Sequence, residues 1–119
     1  MTIGKFVVDI RRFKKLSSKP KFLAKFFSPQ EMKFLMEKHF PIYRIAEMFT
    51  AKMAFMKAMG VAARGCKLNE VSILTDYNGI YYVSLSGKAK TVFASKHRKI
   101  AIDCTHTRVV ALATVIIYE

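Results

Sequence analysis

From Tyr43 to Met59 the chain contains neither proline nor glycine, is rich in Ala, Met, Lys and Phe, and meets Gly60 where a helix calls for its terminating residue. No other stretch limits the possible folds as strongly. A long helix is expected here, with Ile45, Phe49, Met53 and Met56 forming an apolar row spaced four, four and three residues apart. Met53 and Lys57 then lie about 40° apart around the helix and one turn apart along it.

The flanking sequence supplies strands for this helix to pack against. KFVVDI is short, β-branched and bounded by Gly4, which predicts a buried strand carrying Asp9 near its end. SSKPK at 17–21 reads as a loop. At 28–31, Ser28, Pro29 and Glu31 stand where a helix wants its cap, its first residue and a capping-box partner, so a helix is expected to about Lys38, before HFP at 39–41 breaks it. EVSILT at 70–75 and IYYVSL at 80–85 are β-rich and joined across DYNG, a hairpin signal. Ser86 is placed to cap a short helix over residues 87–95, and KIAIDCTHT and VVALATVIIY read as two further strands. The order β, α, α, α, hairpin, α and two strands is an α+β pattern, an antiparallel sheet packed against a long helix. No repeat, low-complexity tract or linker interrupts it, so residues 1–119 are read as one domain.

The 21 Lys plus Arg against 8 Asp plus Glu give a formal charge of +13, which calls for an anionic partner: nucleic acid, an anionic membrane, a phosphorylated small molecule or an acidic protein. Charge alone does not choose among them. Cys66 and Cys104 are far apart and lack a CxxC partner, which argues against a disulfide framework or a zinc site and for a reducing compartment. The N-terminus has no secretory h-region, and the longest apolar run, residues 109–118, is about half of what a membrane helix needs. A soluble, cytoplasmic protein with no membrane partner is expected.

Three local motifs, taken together, resemble the holo-acyl-carrier-protein synthase family, the small trimeric type of 4'-phosphopantetheinyl transferase. VVDI at 7–10 matches the opening strand, FTAKMAFMKAMG at 49–60 matches the signature FAAKEAxxKAxG, and DCTHT at 103–107 matches the late strand end. The order and spacing of the elements extend the resemblance over nearly the whole chain. Three positions depart from the pattern: Met53 stands where the family usually has Glu, Met48 where it has Arg, and Arg12 where many members have Glu.

The resemblance implies transfer of the phosphopantetheine arm of coenzyme A to a serine of an acidic apo-acyl carrier protein, with Mg²⁺ as cofactor and a homotrimer with sites between subunits. It brings the metal-binding carboxylate onto Asp9 and the reacting lysine onto Lys57, so that these two are the expected catalytic residues. Coenzyme A contacts fall on Lys52, His106, Thr107 and Gly60, and carrier contacts on the neighbourhood of Lys15, Lys21 and Phe22, with Arg11 and Arg12 close by. The chemistry is coherent, because phosphoryl transfer needs cations, a carboxylate-held Mg²⁺ and positioned donors. Without the resemblance, Asp9 is a turn residue, Lys52 and Lys57 a wetted helix stripe, Met53 core and His106 a structural histidine. His39 and His97 receive no role, and the two cysteines read as small packed residues. A coenzyme A-binding relative with weak or lost transfer, and a basic nucleic-acid-binding module built on RRFKK and KPKFLAKFF, remain as alternatives.

Overall fold

The structure is a computed structural model that describes residues 1–94 and 98–119. Ser95, the last residue of the helix expected over 87–95, and His97 lie outside the described residues. The order is β1 (Thr2–Asp9), α1 (Pro20–Leu23), α2 (Pro29–Glu37), α3 (Ile42–Met59), β2 (Val71–Thr75), β3 (Tyr81–Leu85), α4 (Gly87–Ala94), β4 (Lys99–His106) and β5 (Val110–Tyr118). β1, β5 and β4 form an antiparallel sheet in that spatial order, and β2 and β3 form a separate hairpin.

α3 lies across one face of the sheet. Gly4 and Val8 of β1 and Ala111, Ala113, Val115 and Ile117 of β5 are buried beneath Ala51, Ala54, Phe55 and Ala58 of the helix. Gly4, Ala54 and Ala58 are small because the helix and sheet are close there: a Cβ on Gly4 would overlap the carbonyl oxygen of Ala54 and the amide nitrogen of Ala58. Gly60 ends α3 with φ of 62°, a conformation that side-chain-bearing residues adopt at a cost. The opposite sheet face carries Ile3, Val7 and Leu112, all exposed, and no helix covers it among the described residues.

α2 begins with the expected capping box, in which Ser28 Oγ accepts from the Glu31 amide at 3.2 Å and the Glu31 carboxylate accepts from the Ser28 amide at 2.9 Å. Beyond its C-cap Lys38, His39 and Phe40 both have positive φ, and Pro41 precedes α3. One expectation is corrected. Residues 17–21 are wound rather than open: a 3-10 turn over Leu16–Ser18 leads into α1, since Leu23 and Phe27 are buried four residues apart and draw the segment onto the core. Ser86 stands at the expected N-cap place of α4, its carbonyl accepting from the Lys90 amide, while the Lys88 amide is taken by the distant Glu70 carboxylate at 3.0 Å.

Candidate active site

β1 and the β4–β5 turn meet at one end of the sheet. Ile10 N–H donates to the Val109 carbonyl at 2.7 Å, and Thr107 closes the turn: its N–H donates to Val110 O at 2.8 Å, while its Oγ1 accepts from the amides of Val109 and Val110. The Thr107 hydroxyl proton stays available to a ligand. Against this corner stands the first turn of α3, leaving an open cleft of about 750 Å³. Its cations are Arg11, Lys14 and Arg108, its apolar walls Ile10, Ile42 and Tyr43, and its remaining polar groups His106 and Thr107. Three cations with a backbone turn at their centre suit a phosphate-bearing ligand.

Asp9 caps the turn that follows β1. Its carboxylate accepts from the Arg11 amide at 2.9 Å and from Arg11 Nε and Nη2 at 3.0 and 2.7 Å. These hydrogen bonds hold its pKa at about 2, so it is a carboxylate at any working pH. The Arg11 side chain is exposed and is a partner that another cation can displace.

His106 faces the cleft above a buried network that sequence reasoning missed. Its Nδ1 lies 2.8 Å from Glu47 Oε2, and the Tyr81 hydroxyl donates to Glu47 Oε1 at 2.6 Å. Arg44 donates in turn to the Tyr81 oxygen, and Tyr43 stacks on the imidazole with centroids 4.9 Å apart. Burial raises the pKa of the Tyr81 hydroxyl and pushes the Cys104 thiol up to about 12, with Glu47 adding to both. Cys104 is therefore no thiolate, in keeping with its expected packing role. One signal for the network was present in the sequence: Glu47 is the sole acidic residue of α3 and stands four residues after Tyr43 and three after Arg44.

Residues 7–113 match the 4'-phosphopantetheinyl transferase superfamily. A holo-acyl-carrier-protein synthase of Clostridium botulinum is 34% identical over 116 residues, spanning 97% of this chain and 94% of that one. The chain belongs to this family. A second synthase, from Caldanaerobacter subterraneus, is 32% identical over 96% of this chain and 91% of its own. Among solved structures, the Helicobacter pylori synthase in complex with coenzyme A has a TM-score of 0.78 at 26% identity, covering 97% of this chain and 98% of that one. The Neisseria meningitidis synthase shares the fold, with a TM-score of 0.87 at 22% identity over 99% of this chain and 97% of that one.

The residues onto which the family signature falls divide between two places. His106 and Thr107 line the cleft, and Asp9 borders it through Arg11. Lys57 is exposed, with its ammonium 5.0 Å from the centre of the Phe6 ring, and Gly60 lies one turn further on. At 1.5 Å per residue, Lys57 is about 21 Å along α3 from Tyr43, so one chain does not bring it to His106. Met53 lies on the stripe between Phe49, which meets Phe6 and Phe13, and Lys57. Met48 is buried. Asp103 pairs with Thr114 and His106 with Ala111 in an unbroken register, which puts the two on opposite faces of the sheet.

Lys52 departs from its expected coenzyme A contact. It is fully buried and ion-paired with the equally buried Glu31, and its ammonium also donates to the carbonyls of Leu68 at 2.9 Å and Val71 at 2.5 Å. Glu31 accepts in addition from the Ile73 amide at 2.8 Å. Burial pushes the Glu31 pKa up and that of Lys52 down, and their mutual attraction opposes both shifts. Lys52 therefore fastens α3 to α2 and β2, and every proton it can donate has a protein partner.

Lys15, ahead of α1, and Lys21 and Phe22, on α1, are all exposed. Phe22 packs edge-on against Phe26 at 5.3 Å, with Lys25 5.7 Å from its ring. Among the described residues no cluster of three or more His, Cys, Asp or Glu is placed to hold a metal, and no helix is long and apolar enough to cross a membrane.

Proposed function

We propose that this chain transfers the 4'-phosphopantetheine group of coenzyme A to a serine of an apo-acyl carrier protein, in fatty acid and lipid biosynthesis. The near-full-length similarity to holo-acyl-carrier-protein synthases carries this reading, and the cation-lined cleft suits it chemically. The serine oxygen bonds to the β-phosphorus of coenzyme A, the bond from that phosphorus to the bridging oxygen breaks, and 3',5'-ADP leaves with the electron pair. The serine proton passes to solvent. Residues 1–119 act as one domain in the cytoplasm.

Arg11, Lys14 and Arg108 bind coenzyme A phosphates, with His106 and the Thr107 hydroxyl as directional contacts. Lys57 stabilises the charge that gathers on the transferring phosphoryl group, and Gly60 lets the chain approach the ligand without a side chain in the way. The distance between Lys57 and the His106 cleft supports a homotrimer in which one subunit supplies each part. The uncovered Ile3, Val7 and Leu112 face is the apolar surface for that contact.

The donor set fits Mg²⁺ held by Asp9 alone, because the ion takes one or two carboxylates and completes its shell with water and phosphate oxygens. When bound it neutralises phosphate charge in the transfer. Lys15 and Lys21 steer an acidic carrier to the surface, and Phe22 anchors it. The basic, aromatic segments are assigned to this partner and not to nucleic acid.

Met53 favours a second reading, a coenzyme A-binding relative with weak transfer, since a thioether offers Mg²⁺ no oxygen. One experiment separates the two: incubate the protein with coenzyme A, Mg²⁺ and apo-carrier, then weigh the carrier. A gain of one phosphopantetheine supports transfer. An unchanged mass alongside measurable coenzyme A binding supports the weak relative.

A further inference from the structure

Glu47 is the one acidic side chain of a helix otherwise apolar, polar or basic, and it is 6% exposed. Its two oxygens do separate work: Oε1 accepts from the Tyr81 hydroxyl at 2.6 Å, and Oε2 meets His106 Nδ1 at 2.8 Å. A carboxylate only accepts, so this contact requires the proton on Nδ1. With Tyr43 stacked on the ring, the imidazole is fixed in plane and in rotation, and Nε2 is the nitrogen left for the cleft. The other charged and titratable groups around the pair are Arg44, 4.0 Å from Glu47 Oε1, Tyr81, Cys104, and the cleft cations Arg11, Lys14 and Arg108.

We propose that Glu47 is a positioning residue for the transfer reaction: it holds His106 Nδ1–H, turns Nε2 into the cleft, and balances the imidazolium charge when His106 meets a phosphate of coenzyme A. The proposal rests on the reading of the chain as a phosphopantetheinyl transferase. It makes an unusual demand on the isosteric variant Glu47→Gln. A glutamine has one accepting oxygen, and the Tyr81 hydroxyl, whose oxygen already accepts a hydrogen bond from Arg44, needs it for its own proton. The amide NH₂ then faces Nδ1, which must become the acceptor, so the neutral ring switches to Nε2–H, and a doubly protonated ring would face no counter-ion.

The test uses the full-length protein, its Glu47→Gln and His106→Ala variants, and the double variant. Nitrogen-15 NMR of the imidazole in mildly alkaline buffer should show Nδ1–H in the wild type and Nε2–H in Glu47→Gln. The KM and Kd for coenzyme A should rise about ten- to a hundred-fold in Glu47→Gln, the loss of one charge-assisted hydrogen bond, with kcat and the carrier KM little changed. Adding Glu47→Gln to His106→Ala should cost nothing more. An Nε2–H ring in the wild type overturns the proposal whether or not the variants fold. So does an unchanged coenzyme A affinity in folded Glu47→Gln, or additive losses in the double variant. If the wild type leaves the carrier unmodified, the transferase reading fails, while the tautomer and the coenzyme A Kd still decide the role of Glu47.

Discussion

Lys57 and Met53 differ by one turn of helix and by everything chemical. Lys57 is exposed beside Phe6, so its truncation removes little packing. Lys57→Ala should leave the melting temperature nearly unchanged and lower turnover by about 10²–10³-fold, the effect of deleting one positioned donor. Equal turnover in the two proteins, measured with saturating coenzyme A, would remove Lys57 from the reacting phosphate. Met53 is half-buried on the same stripe, and the register of β4 turns Asp103 to the other face of the sheet. Met53→Glu should therefore supply the missing oxygen and lower the Mg²⁺ concentration for half-maximal transfer, whereas Asp103→Asn should leave it unmoved. Asp9→Asn should raise it. A large upward shift in Asp103→Asn with none in folded Met53→Glu reverses this assignment of ligands. At this scale the motifs were legible as residue types and the environments were not: the same helix spelling carries a solvent-facing Lys57 and a sealed Lys52.

At the scale of elements, the Lys52–Glu31 pair explains why one lysine of the signature is structural. Glu31 caps α2, accepts from β2 and holds the α3 lysine, so one carboxylate joins three elements. Removing one member of a buried pair leaves the other charge unpaired, and Lys52→Met should destabilise the fold by about 3–5 kcal/mol. Lys52→Met with Glu31→Gln should recover part of that loss. In the folded fraction the coenzyme A KM should stay at its wild-type value. A Lys52→Met protein of normal melting temperature but raised coenzyme A KM would return Lys52 to the ligand. The boundaries of α2, α3 and the hairpin were readable because caps, glycine and alternation are local signals. The segment from Ser17 to Lys21 was misread because its winding is imposed by Leu23 and Phe27 reaching the core, a tertiary cause.

At the scale of the whole molecule, the separation of Lys57 from His106 makes a specific demand on assembly. If each site takes Lys57 from one subunit and His106 from its neighbour, co-refolding Lys57→Ala with His106→Ala should regenerate sites that carry both wild-type residues. Transfer activity should then exceed that of either variant alone. No recovery, with mixed oligomers verified by mass, places both residues in one subunit. A charge on the uncovered sheet face, as in Leu112→Asp, should shift the sedimenting species toward monomer and abolish transfer together with it. By itself the sequence determined the α+β element order, the long helix with its glycine stop and the family signature, because these rest on spacing within a dozen residues. Only the tertiary structure decided that Lys52 is sealed, that Glu47 stands behind His106 and that the signature residues lie at two ends of one helix. Burial and pairing are set by which distant segments pack together, and no local pattern encodes them.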